Sequence, residues 1–196
     1  MSRARSTKAD QTGRSRLEVK KSVVVYWLTP AKPQRELFCE LIRILAERFQ
    51  APVFEPHLTL CLGQDRQSRN NRSSRSLSES PQKVLRRVVA APVRLWVREI
   101  AYSSRFTKTL FVRFKPERAF GDLAVALGST AVSDPHLSLI YKGMPARIKN
   151  ELAATIKLPF RTVTFDAIKA VRCTSPTTTV AEVESWRAVA RRRLLG

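Results

Sequence analysis

Glu55-Pro56-His57-Leu58-Thr59-Leu60 and Asp134-Pro135-His136-Leu137-Ser138-Leu139 are two versions of one hexapeptide. Each runs acid, proline, histidine, leucine, hydroxyl, leucine. The two copies use both histidines of the chain. In a β-strand, side chains two apart share a face. Each copy, read as a strand, therefore sets an imidazole beside a hydroxyl, His57 with Thr59 and His136 with Ser138. Leu58, Leu60, Leu137 and Leu139 turn to a core. One such peptide alone is an ordinary buried-strand pattern; the pairing of two lifts it above that.

The likeness continues upstream. The apolar run Val23–Leu28 ends at Pro30, passes into a helical pattern and reaches Pro56-His57. Leu110–Phe114 ends at Pro116, passes into another helical pattern and reaches Pro135-His136. Strand, proline, helix, histidine strand is an internal duplication of two similar lobes. Two such lobes facing one another bring two histidines and two hydroxyls to one cleft.

The 196 residues are enough for one domain of ordinary size. No apolar run approaches the ~20 residues that span a bilayer, and no apolar segment near the N-terminus reads as a secretory signal. Cys39, Cys61 and Cys173 are far apart and lack metal-type spacing, so free thiols in a reducing, cytoplasmic compartment are expected. The formal charge is +20, from 36 Lys and Arg against 16 Asp and Glu. Such a balance attracts polyanions, RNA among them.

Residues 1–21 are Arg/Ser/Lys-rich without apolar periodicity and read as a disordered basic tail. Their composition also fits an organelle transit peptide, without its amphipathic pattern. Residues 22–196 read as a single domain. Its first helix has Leu37, Leu41, Ile44, Leu45 and Phe49 at helical spacing. Residues 63–80 form an Arg/Ser-rich flexible loop, and Pro81 opens a short helix. Val93–Tyr102 and Thr109–Phe114 are strands, and Pro116–Leu127 is a helix with Phe120, Leu123, Ala124 and Leu127 inward. Pro145–Ile156 is helical, 162–174 a strand, Thr177–Thr179 a turn and Val183–Leu194 a last strand. The class is α+β, with antiparallel sheets and helices outside.

Imidazole holds or releases a proton near neutrality, with a pKa of ~6.5. A neutral imidazole takes a proton from water, and an imidazolium gives one to a departing oxygen, each worth ~10²–10⁴-fold. The hydroxyls can donate hydrogen bonds to non-bridging phosphate oxygens. The set suits attack on a strained cyclic phosphodiester, and no metal or other cofactor is called for.

The paired His-x-Thr and His-x-Ser motifs resemble the 2H phosphoesterase superfamily, and within it the cyclic phosphodiesterase family known from plants and yeast. The likeness includes Trp27, Phe54–Thr59, Pro135–Tyr141 and Glu184–Ala190, and spans about residues 20–195. The resemblance implies a bilobal fold of two antiparallel sheets facing a central cleft. It implies opening of nucleoside 2′,3′-cyclic phosphates or ADP-ribose 1″,2″-cyclic phosphate to a monoester. It makes His57 the acid and His136 the base, has Thr59 and Ser138 hold phosphate, and puts Trp27 and Tyr141 in the substrate cleft. Strict alternation instead turns Tyr141 away from His136. The Arg/Ser-rich loop, basic tail and high charge depart from the family and raise RNA 2′,3′-cyclic phosphate ends as substrate, with RNA held by the basic surface. A nonenzymatic RNA-binding module is the reading from another class, but binding alone needs no paired titrating groups. A monomer without membrane association is expected.

Overall fold

The computed structural model describes residues 20–63 and 79–195. The basic tail through residue 19 and the loop at 64–78 lie outside the described residues. Seven strands and five α-helices occur among the described residues: β1 (Lys21–Pro30), α1 (Gln34–Phe49), β2 (Leu58–Leu62), α2 (Pro81–Arg87), β3 (Val93–Tyr102), β4 (Leu110–Phe114), α3 (Arg118–Ala126), β5 (His136–Ile140), α4 (Ala146–Thr155), β6 (Thr162–Ser175), α5 (Val180–Glu184) and β7 (Arg187–Arg193). The α+β class and antiparallel pairing expected from the sequence are found.

The strands form one sheet, in the order β1-β2-β5-β4-β3-β6-β7, with β1 also paired to β6. The pairings β1–β2–β5–β4–β3–β6 therefore return to β1 as a ring. The two expected sheets are joined edge to edge, and the reason is the length of β6. Its 14 residues outrun any one neighbour. One edge pairs with β1 from Phe165 to Ser175; the other takes β3 over Thr162–Phe165 and then β7 over Ala167–Arg172.

Histidine strands β2 and β5 meet through the pair Leu58–Leu137. All four leucines of the two hexapeptides are fully buried. In both halves the histidine strand carries an extra residue. Trp27 pairs with Thr59 and Tyr26 with Cys61, so Leu60 is the bulge. Phe111 pairs with Ser138 and Leu110 with Ile140, so Leu139 is the bulge. The irregularity falls at the same place in each copy, as a duplication requires.

Some boundaries move. β1 begins at Lys21, inside the stretch expected as tail, and Lys20 reaches Glu182. Gly63, expected as loop, donates to Val24 O at 2.7 Å, and a Cβ on it would stand 2.9 Å from the same oxygen. The buried stripe of α1 is Phe38, Ile42, Leu45 and Ala46, whereas Ile44 is 47% exposed. The stripe is rotated from the expected one because Phe38 and Ala46 pack inward. Val183 and Glu184 lie in α5 and not in the last strand. Thr179 and Glu182 form a capping box there, satisfying two N-terminal donors and starting a short helix between the expected turn at Thr177–Thr179 and the last strand. Among the described residues no helix is long and apolar enough to cross a membrane.

Candidate active site

An antiparallel pair at Leu58–Leu137 sets His57 across from Ser138 and Thr59 across from His136. All four project from the sheet face opposite the two leucines. The quartet expected from the sequence is thus brought to one place. His136 lies close enough that its charge bears on His57.

Both imidazoles are oriented by the same local device. His57 Nδ1 lies 2.7 Å from Glu55 O, and His136 Nδ1 lies 2.7 Å from Asp134 O. A carbonyl can only accept, so each Nδ1 carries the hydrogen. Each Nε2 is left with its lone pair directed away from the strand. The proline between acid and histidine fixes the backbone that makes this two-residue reach possible.

The two surroundings differ. His57 stacks on Trp27 with ring centroids 3.7 Å apart and 14° between planes. Phe54 and Trp186 meet it edge-on at 6.2 and 5.7 Å. The Tyr141 hydroxyl donates to His57 Nε2 at 3.4 Å. Burial, opposed by the Glu55 carbonyl and assisted by His136 and Lys169, pushes the His57 pKa down to about 4. His136 has one aromatic neighbour, Phe111, edge-on at 5.2 Å. Burial lowers its pKa too, with Lys108 and Arg113 adding to the effect and Asp134 opposing it.

Tyr141 reaches His57 because of the bulge. Without it, residues 136, 138 and 140 would share a face and 141 would point away. The extra residue at Leu139 shifts the phase by one and returns Tyr141 to the histidine side. Its ring stacks on Phe54 at 3.9 Å, and burial raises the pKa of its hydroxyl, which stays a donor. Trp27 and Tyr141 are 6% and 2% exposed, each with a ring face already covered. They pack around His57 and offer no open platform for a base. Ser138 Oγ donates to Thr107 O at 2.8 Å, and Thr59 is half-buried.

Sequence reasoning did not single out Trp186, Phe111, Lys108, Lys169 or Arg113. Trp186 comes from the turn after α5 and touches His57, Trp27 and Tyr141 edge-on, its indole N–H buried without a partner. Cross-strand register brings in Lys169, opposite Trp27, and Phe111 and Arg113, opposite Ser138 and His136, while Lys108 comes from the turn before β4. No local pattern announces such partners.

A model of the family described as cyclic phosphodiesterase-like protein matches residues 23–133, more than half the chain, and ends just before the second hexapeptide. The chain belongs to this cyclic phosphodiesterase-like family of the 2H phosphoesterase superfamily. It is accordingly an enzyme, a phosphoesterase. Among curated proteins no match is found. Among solved structures the chain is similar to E. coli LigT complexed with 3′-AMP, at 14% identity over 89% of this chain and 99% of that one, with a TM-score of 0.49. LigT with NADP+ has the same identity and TM-score, over 89% and 98%. A structure described as a phosphoesterase gives 12%, 90%, 100% and 0.47. A likeness at that level says nothing of the site.

Proposed function

We propose that the chain hydrolyses a cyclic phosphodiester, a nucleoside 2′,3′-cyclic phosphate or ADP-ribose 1″,2″-cyclic phosphate, to a phosphomonoester without a metal ion. The observation that carries the proposal is the quartet across Leu58–Leu137, with both Nδ1 atoms tied to carbonyls, so that each Nε2 is the nitrogen left to exchange a proton, that of His57 once the Tyr141 hydroxyl swings off it. One Nε2 takes a proton from water as its oxygen bonds to phosphorus. The P–O bond to one ribose oxygen breaks, and the other imidazole gives that oxygen a proton. Thr59 would donate to a non-bridging oxygen, as would Ser138 once its hydroxyl turns from Thr107 O, with Trp27 and Tyr141 beside them.

The unequal surroundings favour roles opposite to those the resemblance implies. His57, boxed by aromatics, is neutral at pH 7 and suited to be the base once water replaces the Tyr141 hydroxyl on its Nε2. His136, less enclosed, holds a proton more readily and suits the acid. Incubation with 2′,3′-cyclic nucleotides in excess EDTA tests the activity: monoester should form at the rate seen without chelator. Failure on every cyclic phosphate, or inactivation reversed by a divalent cation, rejects the reading.

A second reading, the same chemistry at RNA 2′,3′-cyclic phosphate ends, is favoured by a basic groove. Lys32, Arg35, Arg191 and Arg193 line it beside Ala31 and Asp166. Arg191 pairs with Lys169, which pairs with Trp27. The groove therefore begins two strands from the His57 wall on the same sheet face, where the nucleotides preceding a cyclic end would leave the cleft.

A further inference from the structure

The acid of each acid-Pro-His tripeptide does two things. Its carbonyl takes the histidine Nδ1 hydrogen, and its carboxylate holds a lysine. Glu55 accepts from Lys169 Nζ through both oxygens, at 2.6 and 2.5 Å. Asp134 accepts from Lys108 Nζ and also pairs with Arg113 Nε at 3.0 Å, an ion pair not aligned as a hydrogen bond. The lysine side chains are mostly buried, 15% exposed for Lys169 and 16% for Lys108.

Both ammonium groups stand on the site face. Lys169 is the direct cross-strand partner of Trp27, whose ring lies on His57. Lys108 Nζ is 4.6 Å from the centroid of Phe111, whose ring meets His136. Trp27 pairs with Thr59 as Phe111 pairs with Ser138, so the two aromatics are equivalents in the duplication. The lysines come from unrelated places, strand β6 and the turn before β4. The repeated sequence has nevertheless gained one ammonium beside each histidine, held each time by the residue two before it. An exposed ion pair needs no such repetition and contributes little. An ammonium has three donors, and a phosphate brought between the imidazoles is an anion that meets them.

We propose that Lys169 and Lys108 draw the substrate's phosphate between the imidazoles, and that Glu55 and Asp134 are positioning residues that fix where those ammonium groups stand. This rests on the phosphodiesterase reading for its substrate, but its physical content is the affinity of the cleft for phosphate. Each lysine also opposes protonation of its neighbouring imidazole in the free protein.

The test uses the full chain and inorganic phosphate as probe. Phosphate is titrated while the two histidine imidazoles are followed by NMR, in wild type, Lys169→Met, Lys169→Arg, Glu55→Gln and Lys108→Met. The Lys→Met variants should bind phosphate about tenfold more weakly and titrate their histidine at higher pH; Lys169→Arg should recover most of the affinity. Glu55→Gln is the discriminating variant. If net charge alone mattered, removing a carboxylate would tighten phosphate binding; if Glu55 positions Lys169, binding weakens. With a cyclic nucleotide, KM should rise more than kcat falls. Unchanged phosphate affinity in both Lys→Met variants overturns the proposal, and tighter binding in Glu55→Gln overturns the positioning role. A wild type that binds phosphate but turns over no cyclic nucleotide would refute the phosphodiesterase reading and leave these outcomes legible.

Discussion

Trp27 and His57 lie face to face, 3.7 Å between ring centroids and 14° from parallel. The indole removes water from one whole side of the imidazole, so the charged form of His57 loses solvation it cannot replace. That contact ties the stability of the sheet to pH. His57 has a folded pKa of about 4 against an ordinary ~6.5, so the unfolded chain binds more protons between those values. Stability is full above pH ~6.5, falls as pH drops through the window, and has lost about 3 kcal/mol from this group below pH ~4. Urea midpoints from pH 7.5 to 4 should show that slope, and His57→Gln should flatten most of it. An unchanged slope in the variant would place the acid sensitivity elsewhere.

His57→Gln and His136→Gln should each lower turnover of a 2′,3′-cyclic nucleotide by ~10²–10⁴-fold while circular dichroism stays that of wild type. The double variant should be little worse than either single one, because two groups serving one transition state fail together. Near-normal turnover in either folded single variant removes the two-histidine mechanism.

Which histidine is the acid can be read from the leaving group. A diester that expels p-nitrophenolate needs no proton on the departing oxygen. If His136 is the acid, His136→Gln should lose much less activity on such a diester than on the cyclic substrate, and His57→Gln should lose as much on both. The reverse pattern restores the roles implied by family resemblance.

The pH profiles should separate binding from chemistry. With both imidazoles depressed in the free protein, the bell of kcat/KM should have its limbs on the acid side of ~6.5. Bound phosphate favours the imidazolium, so the kcat bell should lie at higher pH. The limbs belong to the coupled pair and not to single residues. Coincident bells would mean that the phosphate does not approach the histidines.

Charge reversal of the groove distinguishes the two substrate readings. Arg191→Glu with Arg193→Glu should reduce kcat/KM for a cyclic-ended oligonucleotide by about tenfold or more at low salt and leave a cyclic mononucleotide almost untouched. The wild-type preference for the oligonucleotide should fade as salt rises. Equal effects on both substrates would remove the groove from RNA recognition.

The site was legible in the sequence because its signal is local. Two histidines, each two residues from a hydroxyl, report a shared strand face without any knowledge of tertiary contacts. Phe120, Leu123 and Leu127 were legible for the same reason, since a helical period fixes their side. What escaped depends on register. Leu60 and Leu139 carry no bulge signature, yet the second decides where Tyr141 points. Trp27 meets Lys169 only because β1 and β6 slide into one alignment of many. Ile44 shows a local rule failing: it fits a helical stripe, but Phe38 and Ala46 pull that stripe round to their own side. The capping box at Thr179 and Glu182 was written in the sequence, but five residues make too short a helix to show a period.

The near two-fold relation around Leu58 and Leu137 has a stereochemical consequence. Were it perfect, a cyclic phosphate would meet identical groups after a half-turn, and either imidazole could face either ribose oxygen. The aromatic box at His57 and the Lys108–Asp134–Arg113 cluster at His136 break that equivalence. On the proposed cyclic-nucleotide reading, a nucleoside should therefore bind with one preferred heading, and hydrolysis should yield mainly one monoester isomer. A duplicated scaffold brings two histidines together; the divergence of their walls would give the proposed reaction its direction.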